Sequence, residues 1–133
     1  MAEKSVEIER LAIEADHAAA VLTHLQPDRI GHGIRAAYSD EALDLLAERG
    51  TVLEICPTSN LHTRAVKNLE EFRTILGTFQ SRGVRFTVNT DGTYLCRTNL
   101  RREFKILTET EILSAEDAEA ARLLAFQASF LEA

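Results

Sequence analysis

A histidine held between glycines and an aspartate placed directly after an apolar run are the residues of this chain best suited to chemistry. His32 stands in Arg29-Ile30-Gly31-His32-Gly33, where glycines on both sides let backbone and ligand approach closely. An imidazole there could work as an acid or base near neutral pH. Asp91 follows Val84 to Thr90, and a carboxylate at such a place suits a metal ligand, since zinc accepts aspartate oxygen alongside histidine nitrogen. Each has a plainer reading. A lone histidine at a strand end is often satisfied by local hydrogen bonds, and Asp91-Gly92 is a common turn pair. A third polar string, Cys56-Pro57-Thr58-Ser59-Asn60, ends another apolar run, although Ser59 and Asn60 receive no specific role from sequence.

The elements that must position these groups are short and regular. Ile8, Leu11, Ala12, Ala15, Ala18, Ala19, Leu22 and Leu25 recur at spacings of three and four, which predicts a helix that Pro27 stops. A strand over Arg29–Gly33 follows. Ser39 caps a second helix, with Asp40 and Glu41 in its first turn and Gly50 at its end. Thr51–Cys56 reads as a strand, Thr58–Val66 as a loop, and Leu69, Phe72, Ile75, Leu76 and Phe79 as the stripe of a third helix. Val84–Asn89 is the next strand. Two helices, over 98–109 and 114–130, close the chain, the latter opening on a capping-box-like Ser114-Ala115-Glu116-Asp117.

Strands alternating with helices imply parallel pairing and right-handed crossovers, and 133 residues fit one α/β domain over 1–133. A closed eight-fold barrel takes about 250 residues, so this is a partial barrel of three strands. Its open edges predict association, most simply as a homodimer. In parallel α/β folds ligands bind at the carboxyl ends of the strands, so all three polar strings should face one volume. That convergence outweighs any single motif.

Three strings in register carry a family resemblance. Arg29-Ile30-Gly31-His32-Gly33, Leu53-Glu54-Ile55-Cys56-Pro57-Thr58-Ser59-Asn60 and Phe86-Thr87-Val88-Asn89-Thr90-Asp91-Gly92 are similar to the second half of the adenosine deaminase family, from about Asp28 onward. The resemblance implies the last three βα units of a (β/α)₈ TIM-type barrel and a hydrolase that removes ammonia from a purine nucleoside or related aminopurine by a zinc-bound hydroxide. It implies that His32 orients and helps activate the hydroxide, and that Asp91 is both catalytic and a zinc ligand.

Two departures qualify what the resemblance implies. The family holds zinc through a His-x-His pair and a further histidine; no His-x-His occurs here, and the interval where the further histidine belongs, ending in Met1–Ser5, contains none. The chain by itself is therefore expected to bind Zn2+ poorly and to be inactive. Activity then requires a separate N-terminal half-barrel chain, the alternative being a non-catalytic, self-associating scaffold. The family also carries a second aspartate after the first, and here Gly92 can offer a purine ring only its backbone, which puts adenosine itself in doubt.

The remaining candidates read as structure. His17 and His24, seven apart, share a solvated helix flank, and His62 lies on a surface loop. Cys56 reads as a buried inert thiol, and Cys96, beside Arg97, has no paired histidine motif. Arg97, Arg101, Arg102 and Lys105 would suit a phosphate, but their spacing is that of a solvated helix face with Glu103 and Glu109 nearby, and Leu100, Phe104 and Leu107 are core stripe. With 15 basic against 21 acidic residues, a net charge of −6 argues against a nucleic-acid partner. No apolar run approaches the roughly 18 residues of a membrane span, and the charged N-terminus is unlike a signal peptide, so a cytoplasmic protein with reduced thiols is expected.

Overall fold

The structure, a computed structural model, describes residues 17–131. Helix α1 covers 17–25 of these and buries Ala19 and Leu22, while Leu25 is exposed. The expected helix start at Ile8 and the Met1–Ser5 interval lie outside the described residues.

Strands β1 (Arg29–Gly31), β2 (Val52–Ile55) and β3 (Arg85–Val88) form a parallel sheet in the order β1-β2-β3. A 3-10 turn (Ile34–Tyr38) and α2 (Asp40–Arg49) carry the chain from β1 to β2. Helices α3 (Pro57–His62) and α4 (Leu69–Ser81) carry it from β2 to β3. After β3 come α5 (Thr93–Cys96), α6 (Leu100–Glu109) and α7 (Ala115–Gln127). Among the described residues no helix is long and apolar enough to cross a membrane.

Register explains the two faces of the sheet. Ile30 pairs with Leu53 and Leu53 with Phe86, while Ile55 pairs with Val88. Side chains alternate along a strand, so these residues share one face. Leu53, Ile55, Phe86 and Val88 join one core cluster with Leu43 and Leu46 of α2 and Phe72, Ile75, Leu76 and Phe79 of α4. The Phe79 and Phe86 ring centroids lie 6.4 Å apart across that layer. The opposite face carries buried Val52 beside polar groups: Arg29 pairs with Glu54 at 3.3 Å, and Thr87 accepts a hydrogen bond from the Asn89 side chain at 2.8 Å. A parallel sheet covered by helices on one face and unpaired beyond β1 and β3 among the described residues has the form of a barrel wall.

Local chemistry sets most boundaries. Ser39, Asn68, Asn99 and Ser114 each accept a backbone N–H in the first turn of the helix they precede, and Gly50 ends α2 at φ 66°. Four expectations shift. The first strand stops at Gly31 because His32 and Gly33 turn to φ 59° and 69°. The segment expected to be a loop after Pro57 begins with a helix, because proline at the first helical position is pre-set for that φ. The closing helix ends at Gln127, short of the expected 130. Leu100 and Leu69, assigned to apolar stripes, are 48% and 36% exposed.

Candidate active site

Each of the three strands runs out into a polar turn at the same end of the sheet. His32 follows β1 immediately, and its N–H donates to the Glu54 carbonyl at 2.9 Å, an extension of the ladder past the last paired residue. Gly33 is the glycine of the pair that the backbone requires: its φ is positive, and a Cβ there would come within 2.7 Å of the Leu53 side chain. Gly31 has open space around it and no such constraint. Asp91 follows β3 at φ 57°. Both candidates thus sit in left-handed backbone, a region that histidine and aspartate visit more readily than most residues.

Helix α3 lies between them and reaches both. Ser59 donates its hydroxyl to Asp91 Oδ2 at 2.7 Å. Asn60 brings its side-chain nitrogen Nδ2 to 3.2 Å from His32 Nδ1. His32 Nε2 in turn lies 3.6 Å from Asp91 Oδ2, with both side chains close to half exposed. Ser59 and Asn60 are buried. The structure therefore brings together all three strand ends, and the two candidates share one four-residue network with two residues of α3. An open pocket of about 590 Å³ borders the network, with apolar walls from Val21, Ile30 and Ile34. Its apolar lining and few convergent polar groups are typical of small-molecule sites.

The electrostatics follow from these contacts. The Ser59 hydroxyl, then the Gly92 amide and then His32 hold the Asp91 carboxyl below its ordinary range. A group depressed in this way adds stability at pH values above its unfolded pKa and loses it as pH falls through the folded value. Ser59→Ala is expected to move the Asp91 titration upward, toward that of an unperturbed aspartate, when its carboxyl carbon is followed by NMR. A curve unchanged from wild type would show that the hydroxyl contributes nothing. Gly92 is engaged within the protein on both sides, its amide with Asp91 and its carbonyl with the Cys96 N–H at 2.9 Å. Its φ of −68° and ordinary contacts around a built Cβ show that the fold does not demand glycine there.

A carboxylate from α6 supports the first turn of α3. Glu103 lies beside the face expected to be solvated, yet it is fully buried. Its carboxylate accepts the Thr58 N–H at 2.9 Å and the Thr98 hydroxyl. Proline at the head of α3 leaves Thr58 as an early amide without an intrahelical partner, and Glu103 supplies the missing acceptor. No local pattern could have revealed a cap delivered from 45 residues away.

The other candidates lie apart from this network or at its margin. His24 and His62 are exposed, and exposed His17 borders the pocket. Cys56 is buried, and burial first, then the Asp91, Glu103 and Glu54 charges, pushes its thiol up to about 11, leaving an inert group. Cys96 is also a free thiol. Arg97 precedes α6 in left-handed backbone, so the expected face of 97, 101 and 105 is broken. The exposed Lys105 pairs with Glu109 at 3.5 Å.

Zinc finds too few donors among the described residues. A zinc site takes at least three protein ligands, and among the described residues no three His, Cys, Asp or Glu side chains gather as such a group. Of the two candidates, the resemblance makes only Asp91 a ligand.

Parallel strands wound in sequence order, with helical crossovers and polar groups gathered at their carboxyl ends, define a segment of a TIM-type barrel. The adenosine deaminase family profile matches residues 12–133. An adenosine deaminase from Haemophilus ducreyi is 41% identical over 103 residues, covering 77% of this chain and 29% of the relative. One from Clostridium botulinum (strain Kyoto / Type A2) is 38% identical, covering 82% and 32%. An adenine deaminase from Mesorhizobium japonicum is 34% identical, covering 85% and 34%. The chain belongs to the adenosine deaminase family. It spans about a third of the length of these curated relatives.

Proposed function

We propose that this chain forms the C-terminal wall of the active site of a hydrolytic aminopurine deaminase, with His32 and Asp91 as the catalytic groups it contributes. The observation that carries this reading is the network Ser59–Asp91–His32–Asn60 at the carboxyl ends of the strands. Asp91, held ionised, accepts a hydrogen bond from the attacking water and aligns it; His32 flanks the same position. The family's zinc would supply an activated water. These residues do not make its site by themselves, so Asp91 would be one donor among others held outside this chain. A 133-residue wall of a barrel thus needs the remaining strands, from a separate N-terminal half-barrel chain or as part of the same protein.

The substrate class is a 6-aminopurine and is set more broadly than adenosine. Gly92 withholds the second carboxylate that the family resemblance implies, and relatives of similar identity are named for adenosine and for adenine. The test is complementation. The chain is produced alone and together with the N-terminal two-thirds of an adenosine deaminase relative, association is checked by mass, and ammonia release is followed with adenosine and with adenine. Activity is expected in the complex only. A complex that assembles, takes up zinc and releases no ammonia from either purine would sink the proposal; zinc bound one-to-one by the single chain would overturn the statement that the donor set is incomplete.

A further inference from the structure

Buried Asn60 makes contacts that fix more than its own side chain. Its Oδ1 accepts the Cys56 backbone N–H at 3.4 Å, and its Nδ2 lies 3.2 Å from His32 Nδ1. A backbone amide can only donate, so the side-chain oxygen must face Cys56 and the NH2 group must face the imidazole. The reverse orientation would set two donors against each other. The backbone of Asn60 is equally committed, its N–H to the Cys56 carbonyl at 2.9 Å and its carbonyl to the Val66 N–H at 3.0 Å. The side chain is buried on a backbone held at both its N–H and its carbonyl.

A nitrogen that accepts a hydrogen bond carries no proton. In neutral histidine one ring nitrogen is the donor and the other the acceptor, and the partner of one decides the role of the other. We infer that Asn60 is a positioning residue that locks neutral His32 in the tautomer with its proton on Nε2, so that the imidazole presents an N–H to Asp91 and to the pocket. This deepens the proposed function and rests on it. In the neutral resting site His32 serves as a hydrogen-bond donor to the reacting centre, beside an acceptor, Asp91, whose Oδ2 lies 3.6 Å from that same Nε2. The pair then offers an incoming water or amino group one donor and one acceptor in fixed positions, which costs no reorganisation when the substrate arrives.

The experiment is ¹⁵N NMR of the full 133-residue chain labelled in histidine and asparagine, at a pH where imidazole is neutral. The four histidines are separated by the loss of one signal set in His32→Gln. In wild type, Nδ1 is expected to show the shift of an unprotonated ring nitrogen and a coupling across the hydrogen bond to the Asn60 amide. Asn60→Asp replaces that donor with an acceptor and is expected to reverse the two nitrogen environments, placing the proton on Nδ1. The reversal is decisive, because an unconstrained neutral histidine also favours the Nε2–H form. A wild-type Nδ1 that carries the proton overturns the inference, and so does a folded Asn60→Asp protein with an unchanged pattern. Should that variant not fold, the wild-type coupling decides alone: present it supports the lock, absent it removes it. Ammonia release plays no part in this readout, so failure of the deaminase reading and failure of the lock are separable.

Discussion

Phe72→Ala is expected to lower the unfolding free energy by about 3–5 kcal/mol, the usual cost of deleting a buried phenylalanine ring and leaving a cavity behind. Phe72 sits on the inner face of α4 with no exposed surface, in the same cluster as Ile75, Leu76 and Phe79 and the strand residues Leu53 and Ile55. Small domains are stable by only about 5–15 kcal/mol, so a sheet whose two edges are unpaired among the described residues stands to lose a large part of its margin. Urea unfolding gives the measurement: the midpoint should fall with the slope unchanged. Leu69→Ala, on the same helix but 36% exposed, should cost about 1 kcal/mol or less. Equal costs at the two positions would mean that α4 does not lie on the sheet as described.

The contrast between Phe72 and Leu69 also marks where sequence pattern ends. A stripe at spacings of three and four finds a helix and its approximate buried face, because that signal is local and repeated. It does not set the width of the contact. Caps were legible for the same reason: Ser39, Gly50 and Ser114 act within one turn of themselves. Helix α3 was not, since its first amide is satisfied by Glu103, and its value to the site lies in contacts 28 and 32 residues distant in sequence. A glutamate between two arginines and a phenylalanine reads as solvated unless the partner that buries it is known.

The meeting of His32 and Asp91 was foreseeable because topology does the work. Parallel strands joined by helical crossovers put every strand's carboxyl end on one side, so polar residues at successive ends must be neighbours whatever the loops do. Topology could not say which loop residues would bridge them. Ser59 and Asn60 are adjacent in sequence, and a helical turn at this point aims one at the carboxylate and the other at the imidazole. That division of labour depends on α3 being a helix, and so on Pro57 and Glu103.

On the proposed function, Asp91→Asn in the assembled enzyme is expected to lower kcat by about 10²–10⁴-fold, the range typical of losing a positioned acid–base group. The substitution keeps the shape and leaves Ser59 an acceptor in the side-chain carbonyl, so the loss should fall on kcat with little change in fold. His32→Ala is expected to act in the same range. The two side chains lie 3.6 Å apart and address one reacting centre, which predicts strong non-additivity: the double variant should lose little more than the worse single one. Steady-state kinetics with adenosine as the probe separates the cases. A rise in KM alone would make Asp91 a binding group for the ground state, and losses that multiply would mean that the imidazole and the carboxylate act on different steps. The geometry favours joint action, since the adjacent Ser59 and Asn60 tie the carboxylate and the imidazole to one helical turn.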